Sequence, residues 1–145
     1  MQIMRILSLD VGTKNIGMAV CDPLGFTAQP LPTIRRKGDL CSDLRHVADA
    51  VREYQVETIV VGLPKNMNGT EGPSCLMAKE FAAAAEKETG LPIVYWDERL
   101  TSKMAESAMI EADLSRKKRK KEVDSLAAIL ILQNYLDYLR SGSSR

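Results

Sequence analysis

Apolar residues in the first part of the chain form short runs that end at turn-forming residues. The runs "MRILSLDVG" (4–12) and "GMAVCD" (17–22) are separated by a polar, glycine-containing connection, which predicts the two strands of a hairpin. The segment "FTAQPLPTIRR" (26–36) is interrupted by Pro30 and Pro32. We therefore expect a strand only towards its end, at an edge of the sheet.

The remainder of the chain alternates between helix and strand patterns. Apolar residues recur at helical spacing from residue 40 to 54, with Asp39 as a candidate N-cap. The β-branched run 57–64 and the apolar run 91–98 are typical of strands in a parallel sheet. Further helices are predicted over these ranges: 74–89, 101–112 and 123–139.

This order of elements predicts a single α/β domain over residues 1–140, followed by a disordered tail at 141–145. The first strands are expected to pair antiparallel, parallel crossovers follow them, and helices cover the faces of the mixed sheet. The polar, glycine-rich segment "KNMNGTEG" (65–72) is predicted to be a flexible loop beside the carboxyl ends of the strands.

The composition excludes several classes of protein. The three cysteines among 145 residues are odd in number and far apart, which argues against a disulfide framework and for a reducing compartment. A single histidine, His46, leaves no zinc site of the His/Cys type. No apolar run approaches the roughly 20 residues of a membrane span, and the N-terminal residues lack a signal-peptide pattern. We expect a cytoplasmic protein without a membrane partner.

The positive charge of the chain is concentrated in one segment. Residues 116–121 read "RKKRKK", whereas the formal net charge of the whole chain is only +1, so the rest of the protein is mildly acidic. Charge runs are usually solvated, and a disordered loop is the alternative interpretation. The charge density and the position just ahead of Asp124 favour a contact with nucleic-acid phosphates.

Carboxylates stand where the first and last predicted strands end and where the final helix is predicted to begin. They are Asp10, the neighbours Asp97 and Glu98, and Asp124. Taken singly, each has an ordinary interpretation as a turn residue, a strand end, an ion-pair partner or a helix N-terminal acid. The carboxyl ends of parallel strands meet at one edge of a sheet, however, and this edge is where ligands bind.

Carboxylates that converge within about 4–6 Å repel one another unless a cation lies among them. Mg²⁺ or Mn²⁺ is the expected cofactor, because hard cations prefer carboxylate oxygens and retain reactive waters. Two such ions can activate a water and stabilise the leaving oxygen in phosphodiester cleavage, without histidine or cysteine. Asp10 is therefore interpreted as a metal ligand.

Four blocks occur in order over residues 5–139: "LDVGTKNIGMAV", "VVGLPKNMNG", "DERLTS" and "KKEVDSLAAILILQNYL". Together they resemble the YqgF family, also called RuvX-like or pre-16S rRNA nuclease, within the ribonuclease H-like superfamily. The resemblance implies a five-stranded mixed sheet whose first three strands are antiparallel. It also implies a two-metal hydrolase that trims the 5′ end of pre-16S rRNA.

By this resemblance the catalytic and metal-binding residues are Asp10, Asp124 and one acid of the "DER" block. Glu98 is favoured there, and Asp97 is the alternative. Related Holliday-junction resolvases place their middle acid after the fourth strand, where this chain has the uncharged "GLPKN". A resolvase-like DNA endonuclease and a non-enzymatic RNA-binding module for ribosome assembly are the alternative functions.

The expected partner is RNA, either free or on a ribosomal subunit, with structured DNA as a second candidate. The protein is expected to be a monomer or a homodimer. The turn at Gly12 offers a hydroxyl, backbone N–H groups and a cation that suit a phosphate oxygen, although a plain hairpin turn is equally compatible with the sequence. The candidate nucleic-acid contacts are Thr13, Lys14, Lys65, Asn66, Arg99, Arg116, Lys117, Lys118, Arg119, Lys120 and Lys121.

Overall fold

A computed structural model describes residues 5–25, 27–66, 68–98 and 116–142, with side chains for all of these except 116–125 and 141–142. The predicted helix at 101–112 lies outside the described residues. The strands are β1 (Ile6–Val11), β2 (Asn15–Cys21), β3 (Ala28–Arg35), β4 (Thr58–Leu63) and β5 (Ile93–Asp97). The helices are α1 (Leu40–Tyr54), α2 (Pro73–Thr89) and α3 (Arg116–Gly142).

The five strands form one mixed sheet in the order β3-β2-β1-β4-β5. β1 and β2, and then β2 and β3, pair antiparallel, whereas β1 with β4 and β4 with β5 pair parallel. The predicted topology is confirmed. The carboxyl ends of β1, β4 and β5 therefore share one edge, where Gly62 is the register partner of Trp96 and lies beside the end of β1.

β3 differs from its prediction because it runs through both prolines instead of starting after them. Ala19 of β2 is the register partner of Pro30, so pairing continues across the interruption. The predicted edge position explains this result. An edge strand bonds on one side only, and a proline whose nitrogen faces the open side removes no ladder hydrogen bond.

The ends of α1 and α2 follow from local sequence signals. Asp39 caps α1 by accepting a hydrogen bond from the Cys41 N–H (3.0 Å), which confirms it as the N-cap. α2 begins with Pro73 in its first turn. It ends at Gly90, which takes the left-handed conformation (φ 74°) and donates its N–H to the Glu86 carbonyl.

In the described part of the chain α3 runs from Arg116, ahead of the predicted start at residue 123, so the basic segment 116–121 is helical and not a loop. Arginine and lysine are good helix formers, and neither glycine nor proline interrupts this stretch. Asp124 consequently lies inside the helix and not at its start. α3 also extends to Gly142, into the segment predicted as a tail, of which residues 143–145 lie outside the described part.

The sheet separates two apolar clusters. On one face, Leu7 and Leu9 of β1 pack with α1 and α2, and on the other face, Ile6 packs with α3. Side chains alternate along a strand, so Ser8 and Asp10 lie on the α3 side. None of the helices in the described ranges has the length and apolar content needed to cross a membrane.

Candidate active site

Asp10 lies near the carboxyl end of the central strand, half-buried on the side covered by α3. The contact between strand and helix is fixed two residues earlier, where the Ser8 hydroxyl donates to the Ala128 carbonyl (2.7 Å). A buried hydroxyl needs such a partner, because an unpaired one would cost about 1–3 kcal/mol. Ser8 thus ties β1 to α3 directly beside Asp10.

Glu98 follows the last residue of β5, and its carboxyl group lies over Gly62 of β4. A Cβ atom on residue 62 would be 2.7 Å from Oε2 of Glu98 and 2.5 Å from Cδ1 of Ile131 in α3. Gly62 itself is buried and lies level with the end of β1. The carboxylate of the edge strand thereby reaches across β4 towards Asp10.

The negative charge of Asp10 acts on Glu98. Burial raises the pKa of Glu98 to about 7, and the negative charges of Asp10 and Asp97 contribute to the increase. A buried acid surrounded by other acids holds its proton more tightly, since ionisation would place like charges together at low dielectric. A pocket of this kind gains stability from a bound cation.

Asp97 lies on the other side of β5. Side-chain alternation places it with Ile93, which packs against the α1–α2 cluster, whereas Val94 and Trp96 pack against the α3 cluster. Of the two adjacent acids, Glu98 is therefore the one whose carboxyl group lies on the Asp10 side of the sheet. This distinction follows from the end of β5 and could not be made from the sequence.

The third predicted acid, Asp124, belongs to α3, but its side chain lies outside the described part of the chain. Its backbone is one helical turn ahead of Ala128, the residue that contacts Ser8. Among the described side chains, no group of three or more His, Cys, Asp or Glu is arranged to hold a metal ion. Asp124 as a third ligand therefore stays a prediction.

The Gly12–Lys14 turn joins β1 to β2 tightly and leaves Thr13 and Lys14 exposed. The Gly12 N–H donates to the Asn15 carbonyl (2.9 Å), and a Cβ on residue 12 would lie 2.8 Å from that same oxygen. Only glycine fits here. The turn presents its exposed residues at the edge of the sheet where Asp10 lies.

An ion pair that the sequence analysis missed holds this turn. Arg36 donates from its side chain to the Gly12 carbonyl (2.9 Å) and to Asp43 Oδ2 (2.8 Å), and from its backbone to the Lys14 carbonyl (2.8 Å). Asp43 is only 1% exposed, and the guanidinium lies over the Phe81 ring. The available signal was an acid on the apolar face of the helix predicted over 40–54, since such an acid needs a cation.

Replacing Arg36 by Ala should destabilise the fold by about 3–5 kcal/mol, because it leaves Asp43 buried without its cation. Equilibrium denaturant unfolding measures the loss. The matched control is Arg52→Ala, whose partner Asp49 is exposed, and we expect a change of at most about 1 kcal/mol there. An Arg36→Ala/Asp43→Asn double variant should recover part of the loss. Equal, small effects at both arginines would contradict the prediction.

The segment 65–72, predicted to be a flexible loop, is held by internal hydrogen bonds in its described residues. The Asn66 N–H donates to the Thr70 carbonyl (2.9 Å), and Asn68 Oδ1 accepts from the backbone and hydroxyl of Thr70. Lys65 and Asn66 follow β4 at the same edge as Asp10. Their contact with nucleic acid stays a prediction.

The remaining predicted nucleic-acid contacts lie outside the described side chains. Arg99 is not described, and only the helical backbone is described for these residues: Arg116, Lys117, Lys118, Arg119, Lys120 and Lys121.

Comparison with known proteins places this chain in a family. A model of the RuvX family, described as "Holliday junction resolvase", matches residues 4–138. The protein named "Putative pre-16S rRNA nuclease" in Clostridium botulinum (strain Eklund 17B) is 57% identical over 136 residues, covering 92% of this chain and 97% of its own. The protein of the same name in Heliobacterium modesticaldum is 54% identical, covering 92% and 89%.

Among solved structures, "T. thermophilus RuvC in complex with Holliday junction substrate" superposes with a TM-score of 0.69. It is 16% identical, and the match covers 97% of each chain. At that identity the likeness shows the fold, which is the ribonuclease H-like arrangement of RuvC, as predicted. The sequence matches establish the relationship more closely, and on them the chain belongs to the RuvX family of nucleases.

Proposed function

We propose that this protein is a divalent-metal-dependent nuclease that cleaves phosphodiester bonds of RNA, and that its substrate is the 5′ end of pre-16S rRNA. Relatives that are more than half identical to this chain over 92% of its length are named "Putative pre-16S rRNA nuclease". The observation that carries the proposal is the pair of crowded carboxylates, Asp10 and Glu98, at the carboxyl edge of the central strands. Such crowding is typical of a site for hard cations.

The residues proposed to hold Mg²⁺ or Mn²⁺ are Asp10, Glu98 and Asp124, with Glu98 preferred to Asp97 because of the side of the sheet on which it lies. The described donors fit, since both are carboxylates. Burial raises the pKa of Glu98, and the negative charges of Asp10 and Asp97 add to the increase. When bound, divalent ions would supply an activated water and stabilise the charge of the leaving oxygen.

The protein's own groups would bind and orient the substrate. Thr13 and Lys14 stand exposed on a turn that Arg36 fixes beside Asp10, so they are proposed to hold a phosphate near the carboxylates. Lys65 and Asn66 line the same edge from the β4 side. The basic segment of α3 precedes position 124 on the same helix and is proposed to bind more distant phosphates of the backbone.

A cleavage assay with 5′-extended pre-16S rRNA tests this function. The purified protein should cut within the 5′ extension when Mg²⁺ or Mn²⁺ is present and should lose this activity in EDTA. A four-way DNA junction is assayed in parallel, because the family description and the likeness to RuvC make a resolvase-like endonuclease the second candidate. Cleavage of the junction alone would favour that candidate. RNA binding without any turnover would favour a non-enzymatic assembly module.

The basic segment 116–121 predicts how steeply the affinity for RNA depends on the salt concentration. The double variant Lys117→Gln/Lys118→Gln should flatten the slope of log K against log [salt] for RNA binding by about 1.4–1.8, since each lost phosphate contact removes about 0.7–0.9. Filter binding over a salt series measures the slope. The matched control is Arg52→Gln/Lys87→Gln, in the last turns of α1 and α2, where the slope should not change. Identical slopes in both double variants would exclude the segment from binding.

A further inference from the structure

Gly62 is a glycine in an unfavourable place. It lies in β4, an interior strand of the sheet, where glycine is roughly 0.5–1 kcal/mol less favourable than alanine. Its backbone does not require glycine, since it is not among the described glycines with positive φ, which are Gly25, Gly38, Gly69 and Gly90. A glycine in the interior of a strand often marks the close approach of another group.

Two side chains use the space above Gly62. The Oε2 and Cδ atoms of Glu98 would lie 2.7 and 3.2 Å from a Cβ on residue 62, and Cδ1 of Ile131 would lie 2.5 Å from it. At 2.5 and 2.7 Å a Cβ atom would overlap Cδ1 of Ile131 and Oε2 of Glu98, so any side chain at position 62 must displace the ends of both side chains. The two groups come from different elements, because Glu98 directly follows β5 and Ile131 belongs to α3.

We propose that Gly62 is a positioning residue for the active site: the space left by its missing side chain is what lets the Glu98 carboxyl cross β4 and lie beside Asp10. Glu98 is carried by an edge strand, and β4 separates that strand from β1. A side chain on β4 would stand between the two acids. The role of Gly62 rests on the proposed function, since it acts through a metal ligand of that site.

The proposal predicts that the two clashes have separable effects. Gly62→Ala should weaken Mg²⁺ binding by about tenfold or more, as is typical when the support of a metal ligand is disturbed. Adding Ile131→Val removes the Cδ1 atom that the new methyl group meets. The Gly62→Ala/Ile131→Val variant should therefore recover thermal stability while its Mg²⁺ affinity stays low, because the clash with Glu98 persists.

Isothermal titration with Mg²⁺ and thermal unfolding with and without Mg²⁺ provide the readouts, independently of cleavage. Gly72→Ala is the matched control, because among the described residues its Cβ would meet only Asn66 Nδ2, at an ordinary 3.8 Å. It should bind Mg²⁺ like the wild type. Wild-type affinity in the Gly62 variants would overturn the proposal even if the wild type is a metal-dependent nuclease. Absence of Mg²⁺ binding in the wild type would instead overturn the proposed function.

A relocation of the carboxylate is the stricter test. The triple variant Gly62→Asp/Glu98→Ala/Ile131→Val moves the carboxylate from residue 98 to residue 62 of β4. Its valine at position 131 lacks the Cδ1 atom that would clash with the new side chain. This variant should bind Mg²⁺ at least about tenfold more tightly than Glu98→Ala/Ile131→Val. Equal affinity in these two folded variants would show that the space over residue 62 is not where the metal-binding carboxylate acts.

Discussion

An Asp10→Asn variant is expected to lose phosphodiester cleavage by about 10²–10³-fold and to bind RNA at least as tightly as the wild type. Asparagine keeps the shape of the side chain but removes the negative charge with which the site would hold a divalent ion. An interaction of about 3–4 kcal/mol in the transition state corresponds to that factor, at about 1.4 kcal/mol for each tenfold step. The affinity for RNA should not fall, because the Asp10 carboxylate that the substitution removes repels the phosphates of the RNA.

Single-turnover cleavage and filter binding on the same RNA separate the two effects. Asp49→Asn is the matched control, since Asp49 is an exposed acid of α1 that pairs with Arg52. That variant should cleave at the wild-type rate. Undiminished cleavage by Asp10→Asn, in the presence of a metal, would remove Asp10 from the catalytic machinery. A parallel loss of RNA binding would instead point to a damaged fold.

Glu98→Gln should lose a comparable amount of activity but gain stability in metal-free buffer. The pKa of Glu98 is about 7 in the folded protein against an ordinary value of 4.5, so ionisation favours the unfolded state. The stability that the neutral Glu98 side chain contributes should therefore be fully present below about pH 4.5 and be lost as the pH rises through about 7. The full difference would be about 3 kcal/mol, and partial exposure to solvent reduces the expected effect to about 1–2 kcal/mol.

Denaturant unfolding of the wild type and of Glu98→Gln between pH 4.5 and 8, without divalent ions, measures this effect. The Gln variant should be the more stable of the two at pH 8, and the difference should disappear at pH 4.5. Saturating Mg²⁺ should stabilise the wild type and leave the variant nearly unchanged. A Gln variant that is less stable at pH 8, or that responds fully to Mg²⁺, would contradict the assignment.

Asp97→Asn is the matched comparison for Glu98, because the two acids are adjacent and differ in the side of the sheet on which they lie. We expect Asp97→Asn to retain metal-dependent cleavage. Loss of activity on replacing Asp97, together with wild-type activity of Glu98→Gln, would reverse the roles of the two residues.

Strand and helix positions were largely predictable, because burial on one or two faces imposes a period on the sequence. The hairpin of β1 and β2, the parallel strands β4 and β5 and the helices α1 and α2 followed from periodicity and capping residues. The errors arose where a local rule depended on long-range placement. Pro30 and Pro32 indicate an interrupted strand, although an edge position accommodates them. The charged residues 116–121 carry no apolar period, so the start of α3 was placed too late.

By itself the sequence determined the family, the order of the strands and the set of acids from which the site is proposed to be built. Those properties are local or are matched residue by residue along the chain. Only the tertiary structure decided that Glu98, rather than Asp97, lies on the side of Asp10, that Gly62 leaves the room for it, and that Arg36 and Asp43 hold the Gly12 turn. Each of these depends on which atoms of distant segments meet, and the periodicity of a strand or a helix carries no information about such contacts.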